Sequence, residues 1–351
     1  MKMIRQLTLI TGSATVLSLI LNKKFKVVLS GYCEAETIAL SSSPTSPLTE
    51  NKDKKPHENI GLGNAIIKAR EYVKRAKEEI GTPGMVIGVS LNGTPVWTEG
   101  FGFANVENGV PCHAETVMRI ASISKSMTMA VVAKLWEDGK LDIDKPVQHY
   151  VPSFPKKTFD GNESNLLVTE RLGACILPSY YVKNPKTKRL LNAPYVDNSY
   201  KWAGGGFLST VGDLLKFGDA MLYSYQYQNQ PGLLVGYLQP KTMSALWTPQ
   251  PSTTMKWGRE DGYGMGWVVV PQRQEYGWGD AQQFATGHSG GAVGASSVLV
   301  VIPKEGGSPP PSGVSVAILV NLQDVSLHTI AFNVAAMFRE VGTRVTIEEL
   351  Q

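Results

Sequence analysis

Between residues 64 and 80 the apolar positions recur at steps of three and four, with charged residues in between. This spacing predicts an amphipathic helix, and Asn64 is the side chain expected to cap its N-terminus. The helix would end at Thr82-Pro83-Gly84, because proline and glycine do not continue a helix. The apolar residues on its predicted buried face are Ile66, Ala69, Val73, Ala76 and Ile80.

A β-hairpin is expected next, since the β-rich runs 85–91 and 95–100 flank Asn92-Gly93, the strongest short signal for a hairpin turn. The same chemistry returns near the end of the chain, where β-rich runs alternate with glycine, proline and polar turns. We expect all of these runs to form one antiparallel sheet. The C-terminal runs are 267–270, 284–286, 295–302 and 314–322.

The remaining segments are helical in pattern and complete the predicted fold. Residues 325–339 carry apolar positions at helical spacing and would cover one face of the sheet. The middle of the chain, 121–255, has the pattern of helices joined by long loops. We therefore predict an α/β fold of the α+β type. It would have an antiparallel sheet built from both ends of the domain, flanking helices, and a helical region inserted between them.

The N-terminus differs in composition from the rest of the chain. Residues 1–33 contain no acid and five bases around an apolar stretch at 7–21, which is typical of a targeting segment. The alternatives are a secretory signal, a mitochondrial presequence with a hydrophobic anchor, and a plain buried helix. Residues 34–60 are polar and are predicted to be a disordered linker. The folded domain would occupy 61–345, with its sheet part at 61–120 and 256–345 and its helical part at 121–255.

Composition and charge narrow the function classes. The chain has 351 residues, of which 42% are hydrophobic, enough for a sizeable core. Its 34 basic and 30 acidic residues leave a net charge of +4, which gives no reason to expect a nucleic-acid partner. Cys33, Cys112 and Cys175 lack metal-ligand spacing and predict neither a disulfide framework nor a zinc site. No phosphate-binding loop or dinucleotide fingerprint occurs, so no cofactor is implied.

A Ser-x-x-Lys tetrad, Ser122 to Lys125, carries the candidate chemistry. On a helix the i and i+3 side chains lie on one face, so the lysine amine could take the serine hydroxyl proton. The apolar run that follows, with Gly139 as its predicted C-cap, places this serine at the positive end of a helix dipole. The plainer alternative is a capping serine and a solvated lysine. A second tetrad, Ser153 to Lys156, lies in a proline-containing loop and lacks this context.

Four stretches together resemble the serine β-lactamase and penicillin-binding protein superfamily, specifically its class C-like branch. The tetrad resembles the first active-site motif, and residues 202–218 (WAGGGFLSTVGDLLKFG) resemble the Gly-Gly-x-x-Ser-Thr helix start of that family. Residues 263–267 (YGMGW) are similar to its Tyr-Gly-Leu-Gly-Trp strand. Residues 287–291 (GHSGG), just ahead of a β-rich run, resemble the third motif, in which Lys-Thr-Gly is often replaced by His-Ser-Gly. The resemblance implies a serine β-lactamase/transpeptidase-like fold.

Long continuous matches through the Ser122 helix and through residues 195–218 point to the mitochondrial branch of this family in animals, and the resemblance covers about 62–170 and 181–345. That resemblance implies a filament-forming serine protease of the intermembrane space with a role in mitochondrial lipid metabolism. The expected partners are a peptide or protein substrate, further copies of the chain in a homo-oligomer or filament, and the inner membrane. No nucleic-acid partner is implied.

The resemblance also implies roles for single residues. Ser122 would form the acyl-enzyme, and Lys125 would be its base. His288, Ser289 and Gly290 would line the strand that holds the substrate, although a structural role for His288 carries equal weight. The backbone N–H groups of Ser122 and Gly291 would form the oxyanion hole, which stabilises the tetrahedral intermediate.

The chain departs from the family where a second motif, Tyr-x-Asn or Tyr-Ser-x, should add a tyrosine to the proton relay. Between Arg171 and Tyr181 the family has a longer helical segment, and this chain has too few residues there to contain it, as if an internal segment were lacking. The literal match Tyr227-Gln228-Asn229 lies downstream in a polar loop. Two alternatives stay open. One is an esterase or β-lactam hydrolase that uses the same pair, and the other is a catalytically impaired isoform that acts as a polymerising protein.

Overall fold

A computed structural model gives the fold of the chain. It describes residues 56–153, 157–159, 162–164, 179–198, 201–227, 233–274 and 281–342, all within one compact unit, Lys55–Gln351. The predicted targeting segment 1–33 and the linker up to residue 55 lie outside the described residues, so the predicted domain boundaries stay predictions. Within the described ranges, every helix is too short or too polar to cross a membrane.

Helices and strands occur in groups along the unit. The helices are α1 (Pro56–Ile80), α2 (Ile123–Glu137), α3 (Val147–Tyr150), α4 (Trp202–Gly205), α5 (Val211–Gln226), α6 (Pro240–Leu246) and α7 (His328–Gly342). The longer strands are β1 (Gly84–Leu91), β2 (Thr94–Asn105), β12 (Ala285–Ala292), β13 (Ala295–Pro303) and β14 (Gly313–Val320). The short strands are β3 (Val110–Pro111), β4 (Met118–Arg119), β5 (Lys157–Phe159), β6 (Asn162–Ser164), β7 (Tyr181–Lys183), β8 (Leu190–Asn192), β9 (Leu208–Ser209), β10 (Gly262–Tyr263) and β11 (Val268–Val270).

One antiparallel sheet of eight strands carries the fold, in the order β10-β11-β12-β13-β14-β1-β2-β3. The pairing of β1 with β14, from Met85↔Val320 to Leu91↔Val314, joins the N-terminal hairpin to the C-terminal strands. The prediction of one sheet built from both ends of the domain is therefore confirmed. The hairpin turn is also as predicted, since Asn92-Gly93 has positive φ at both residues, 51° and 77°, as a type I′ turn requires.

Helices cover both faces of this sheet, because the side chains of each strand alternate between two apolar clusters. On one face α1 and α7 pack against side chains of β1 that include Met85 and Ile87. On the other face α2 and α5 pack against the intervening Val86. Gly88 lets α5 approach β1, since a Cβ there would come within 2.9 Å of the Leu215 side chain. The predicted α+β architecture is confirmed.

Two of the buried polar side chains, Asp219 and Asn321, connect helices and strands of the core through hydrogen bonds. Asp219 of α5 accepts hydrogen bonds from Ser90 at 2.6 Å and Ser315 at 2.8 Å, and burial raises the pKa of its carboxyl group. Asn321, just after β14, accepts a hydrogen bond from the backbone N–H of Gly84 at 2.7 Å and donates to carbonyl groups at the end of β2. These contacts fix α5 and the end of β14 to the strands beside them.

Several boundaries differ from the predictions. Helix α1 begins at Pro56, which lies ahead of the predicted N-cap Asn64 and inside the predicted linker 34–60. A start at Pro56 is compatible with helix geometry, because proline is well tolerated in the first turn of a helix. The predicted helix 325–339 is α7. The middle region contains the short strand pairs β5–β6 and β7–β8 besides its helices, and β9 pairs with β4. Strand β12 includes the glycine-rich motif 287–291. From the sequence, this motif is expected just ahead of a β-rich run and not inside a strand, because glycine has low β-propensity.

Candidate active site

Ser122 stands at the entry to α2, directly after a residue in an unusual backbone conformation. Ala121 has a φ of 45°, in the left-handed region that residues with a Cβ seldom adopt. The N–H groups of Ile123 and Ser124 donate to the carbonyl groups of Ile120 and Ala121 and hold this turn. Ser122 is the N-cap residue by position, but its side chain makes no capping hydrogen bond. Its hydroxyl therefore serves another contact.

That contact comes from Lys125, one helical turn further on. Its Nζ donates to Ser122 Oγ at 2.7 Å and to the carbonyl group of Gly204 at 2.8 Å. The lysine side chain is exposed as a whole, yet partial burial of its amine and the nearby charge of Lys201 lower its pKa from the ordinary lysine value. The two side chains are thus in hydrogen-bond contact, and the pKa of the lysine is shifted in the direction that lets its amine act as a base toward the serine.

Helix α4 and the residues after it supply the Gly204 carbonyl group. Side chains of α2 hold this segment on both sides of that group. Thr128 Oγ1 donates to the carbonyl of Ala203 at 2.8 Å, and Ser124 Oγ accepts a hydrogen bond from the backbone N–H of Phe207 at 3.1 Å. The second acceptor of the lysine amine is therefore positioned by the same helix that carries the amine.

The YGMGW segment, residues 263–267, contacts α2 at another point. Ser126 Oγ donates to the carbonyl of Gly266 at 2.6 Å. Gly266 has a φ of 78°, and a Cβ there would come within 3.1 Å of the Lys125 carbonyl oxygen and 2.7 Å of the Met129 side chain. Glycine is required here both for the backbone conformation and for the close approach.

Strand β12 brings the glycine-rich motif against the turn that precedes Ser122. A Cβ on Gly290 would overlap the Ile120 carbonyl oxygen and Ser297 Oγ, so only glycine permits this approach. Ser297 Oγ donates to that carbonyl oxygen at 2.8 Å and fixes the sheet to the turn. The next residue, Gly291, is exposed, and a Cβ there would meet open space. The motif thus has one glycine packed on the turn and one open to solvent.

His288 is buried two residues before Gly290, and both of its ring nitrogens have partners. Nδ1 lies 2.6 Å from the carbonyl oxygen of Ser289, and Nε2 lies 2.8 Å from the hydroxyl oxygen of Tyr263. Burial lowers the pKa of His288 to about 4, helped by the charge of Lys125, so the ring is neutral near pH 7. Burial raises the pKa of Tyr263 to about 12, so that hydroxyl keeps its proton.

The structure brings Ser122 and Lys125 into contact and places the β12 motif on the turn before them. The catalytic, substrate-binding and oxyanion roles assigned from the sequence stay predictions. Three contributors were not singled out there, namely the Tyr263 hydroxyl, the Gly204 carbonyl and the charge of Lys201. The first two lie inside the quoted motifs, but sequence spacing does not show which strand or turn faces which helix.

Two further sequence features fall partly outside the described residues. Of the second tetrad, Lys156 is not described, and of the Tyr-x-Asn match, Gln228 and Asn229 are not described. Tyr227 itself is buried at the end of α5. In the described part of the chain, no three His, Cys, Asp or Glu side chains come together as a metal site.

The family model described as Beta-lactamase matches residues 69–163 and 176–335 of this chain. The human protein named serine beta-lactamase-like protein LACTB, mitochondrial, is 36% identical over 460 aligned positions, which cover 85% of this chain and 83% of the relative. The mouse protein of the same name is 35% identical, with 84% of this chain and 83% of the relative covered. The aligned positions outnumber the 351 residues of this chain, so the human relative has residues within the aligned span that this chain lacks.

Solved structures agree on the fold. The octameric penicillin-binding protein homologue from Pyrococcus abyssi superposes with a TM-score of 0.59 at 18% identity, covering 78% of this chain and 77% of that chain. A class C β-lactamase from Rhodobacter sphaeroides gives a TM-score of 0.53 at 15% identity, with 80% and 99% covered. At such identities the likeness concerns the fold alone. The family model and the mammalian relatives go further, and they show that the chain belongs to the β-lactamase family.

Proposed function

We propose that this chain is a serine hydrolase that forms an acyl-enzyme on Ser122, with Lys125 as the base. One observation carries the proposal, the 2.7 Å contact between Lys125 Nζ and Ser122 Oγ at the start of α2. A serine hydroxyl is a weak nucleophile near pH 7 and needs an adjacent base. The lowered pKa of Lys125 increases the fraction of neutral amine that can accept the proton.

In the first half-reaction neutral Lys125 takes the proton from Ser122 Oγ, and the oxygen attacks the acyl carbon of the substrate. The N–H groups of Ser122 and Gly291 would stabilise the negative oxygen of the tetrahedral intermediate. When the bond to the leaving amine breaks, Lys125 passes its proton to that nitrogen, and an ester remains on Ser122. A water molecule then gives a proton to Lys125 and attacks the ester. The acid product leaves, and the proton returns to the serine.

An open strand edge favours a peptide or protein substrate. Strand β11 pairs with Ala285, Thr286 and Gly287 of β12, and no described strand pairs with the rest of β12 on that side. An extended peptide could add there through main-chain hydrogen bonds. Gly290 packs on the turn before Ser122, so a peptide on this edge would pass close to the serine. His288, Ser289 and Gly290 would then line the substrate strand.

We further propose that the chain is a protease of the mitochondrial intermembrane space with a part in regulating lipid metabolism. The name of the human relative supports the mitochondrial location, and the basic, acid-free composition of residues 1–33 suits a presequence. Assembly into homo-oligomers or filaments belongs to the same proposal, and it is supported by the penicillin-binding protein homologue from Pyrococcus abyssi, which is octameric. The apolar stretch at 7–21 would provide the association with the inner membrane.

A catalytically impaired isoform that acts as a polymerising protein is the second candidate. It is favoured by the interruption of the family match at 164–175 and by the residues of the human relative that have no counterpart in this chain. The tyrosine motif would belong to such a missing segment. The retained contact between Ser122 and Lys125 argues against this candidate. An esterase would use the same pair on a different acyl group.

Covalent labelling with a fluorophosphonate probe tests the hydrolase. The wild type should be labelled, Ser122→Ala should abolish the label, and Lys125→Met should slow labelling by about 10² or more. Ser153→Ala, which removes the serine of the second tetrad, is the matched control and should label like the wild type. A folded wild type that takes no label would refute the acyl-enzyme, and a labelled wild type that hydrolyses peptides poorly would favour the impaired isoform. If the wild type takes the label, peptide and ester substrates offered to unlabelled enzyme would separate a protease from an esterase.

A further inference from the structure

The hydroxyl group of Tyr263 makes a 2.8 Å contact with Nε2 of His288, next to the serine–lysine pair. We propose that Tyr263 is a positioning residue for that pair: its hydroxyl holds the His288 imidazole as the neutral tautomer protonated at Nδ1, so that the imidazole adds no further positive charge to that of Lys201 near Lys125. The proposal rests on the acyl-enzyme function proposed above and deepens it.

The hydrogen-bond partners determine where the ring proton lies. A carbonyl oxygen can only accept, so the nitrogen 2.6 Å from the Ser289 carbonyl oxygen, Nδ1, must carry a proton. In a neutral ring the other nitrogen, Nε2, then has a lone pair and can only accept. Tyr263 must therefore donate its hydroxyl proton to Nε2. In a doubly protonated ring the hydrogen bond would have to reverse, with Nε2–H donating to the Tyr263 oxygen. The hydroxyl proton would then need a new acceptor, and no other described protein group contacts it, so the contact favours the neutral form.

The direction of the strand places this ring near the catalytic pair. Side chains at alternate positions of a strand point to the same face, so His288 and Gly290 face the same side of β12. Gly290 packs on the Ile120 carbonyl, in the turn that leads into Ser122. His288 therefore faces the start of α2. Among the described residues, the titratable groups that act on the ring are Tyr263 from β10 and Lys125 from α2, whose charge contributes to the lowered pKa of His288.

The charge state of the ring matters because Lys125 becomes positive during acylation. When the amine takes the proton of Ser122, a protonated His288 would repel the new ammonium group, and the repulsion is strongest where water is partly excluded. A neutral ring offers no such repulsion. Tyr263 therefore supports proton transfer without itself touching the substrate.

Nitrogen-15 NMR of the full chain reads the proton position directly. In the wild type near pH 7 we expect His288 to show one protonated and one unprotonated ring nitrogen, with the proton on Nδ1, and His288→Ala identifies the signals. In Tyr263→Phe, which keeps the ring but removes the donor, the Nε2 signal should shift and His288 should titrate at a higher pH. Fluorophosphonate labelling should slow about tenfold, as expected when a buried acceptor loses its partner.

Tyr72→Phe is the matched control. The Tyr72 hydroxyl accepts a hydrogen bond from Asn333 among the helices on the opposite face of the sheet, so this variant should keep the wild-type labelling rate and His288 signals. A wild-type His288 that is protonated at Nε2, or charged near pH 7, would overturn the proposal even if Tyr263→Phe does not fold. A folded Tyr263→Phe with unchanged signals and labelling would do the same. A wild type without any labelling refutes the hydrolase itself, and the nitrogen-15 signals would still decide whether Tyr263 fixes the tautomer.

Discussion

Replacing Gly290 by alanine tests whether the close approach of β12 assembles the site. A methyl group there would overlap both the Ile120 carbonyl oxygen and Ser297 Oγ, which are joined by a 2.8 Å hydrogen bond, so strand or turn has to move. Forcing a methyl group into a packed site costs about 1–3 kcal/mol, and the lost hydrogen bond adds about 1 kcal/mol. We therefore expect Gly290→Ala to lower the free energy of unfolding by about 2–4 kcal/mol.

The same change should reach the chemistry, because the displaced turn leads directly into Ser122. A shift of about 1 Å in a reacting group can cost about 10² in rate, so fluorophosphonate labelling of the folded variant should slow by a similar factor. Gly291→Ala is the matched control for stability, since its Cβ would meet open space, and we expect a change within about 1 kcal/mol. Urea unfolding and labelling rates measure both effects. A Gly290→Ala variant as stable as the wild type, or a Gly291→Ala variant equally destabilised, would refute the reasoning.

Two further predictions concern pH. Lys201→Gln should move the acid limb of the labelling rate to higher pH, because losing a nearby positive charge raises the pKa of Lys125 and the base must be neutral to react. The exposed Lys216→Gln is the control and should leave the acid limb in place. An acid limb that also stays in place in Lys201→Gln would contradict the prediction. The pKa of Asp219 in the folded protein lies above its ordinary value of 3.8, so the folded protein loses stability as pH rises from that value through the folded pKa and the buried carboxyl group ionises. Asp219→Asn cannot ionise and should show a smaller loss of stability over this pH range. Urea unfolding near pH 4 and pH 7 measures the second effect, and equal pH dependence in both proteins would count against it.

The parts of the fold that could be predicted from the sequence depend on neighbouring residues. The Asn92-Gly93 turn needs positive φ at two adjacent positions, and these residue types adopt it readily. The helix after Ser122 follows from a continuous apolar run. Strand β12 could not be bounded this way, because residues 287–291 are poor in β-formers. They are extended because of pairing with distant residues, such as Gly290↔Ser297 of β13.

In the site, too, the features set by neighbouring residues could be predicted and those set by distant residues could not. The contact between Ser122 and Lys125 follows from i, i+3 spacing on one helix, so it was predictable from four residues. The Gly204 carbonyl and the Tyr263 hydroxyl reach the site from positions far along the chain. Their placement depends on how α4 and the YGMGW segment pack against α2, which no local pattern encodes. Motif recognition identified both segments but not the atoms that each contributes.

The contacts described around Ser122 and Lys125 also bear on the segment of the human relative that this chain lacks. They come from the α4 turn through Gly204, from Gly266, and from β12 through Gly290, all of which lie within stretches that the family model matches. The tyrosine that the family resemblance implies would share the proton relay with Lys125, which protonates the leaving amine. A fluorophosphonate loses fluoride, which needs no proton, whereas a peptide loses an amine that does. An impaired isoform should therefore still take the label at Ser122 while hydrolysing peptides poorly, and a chain that does both at comparable efficiency does not depend on the missing tyrosine.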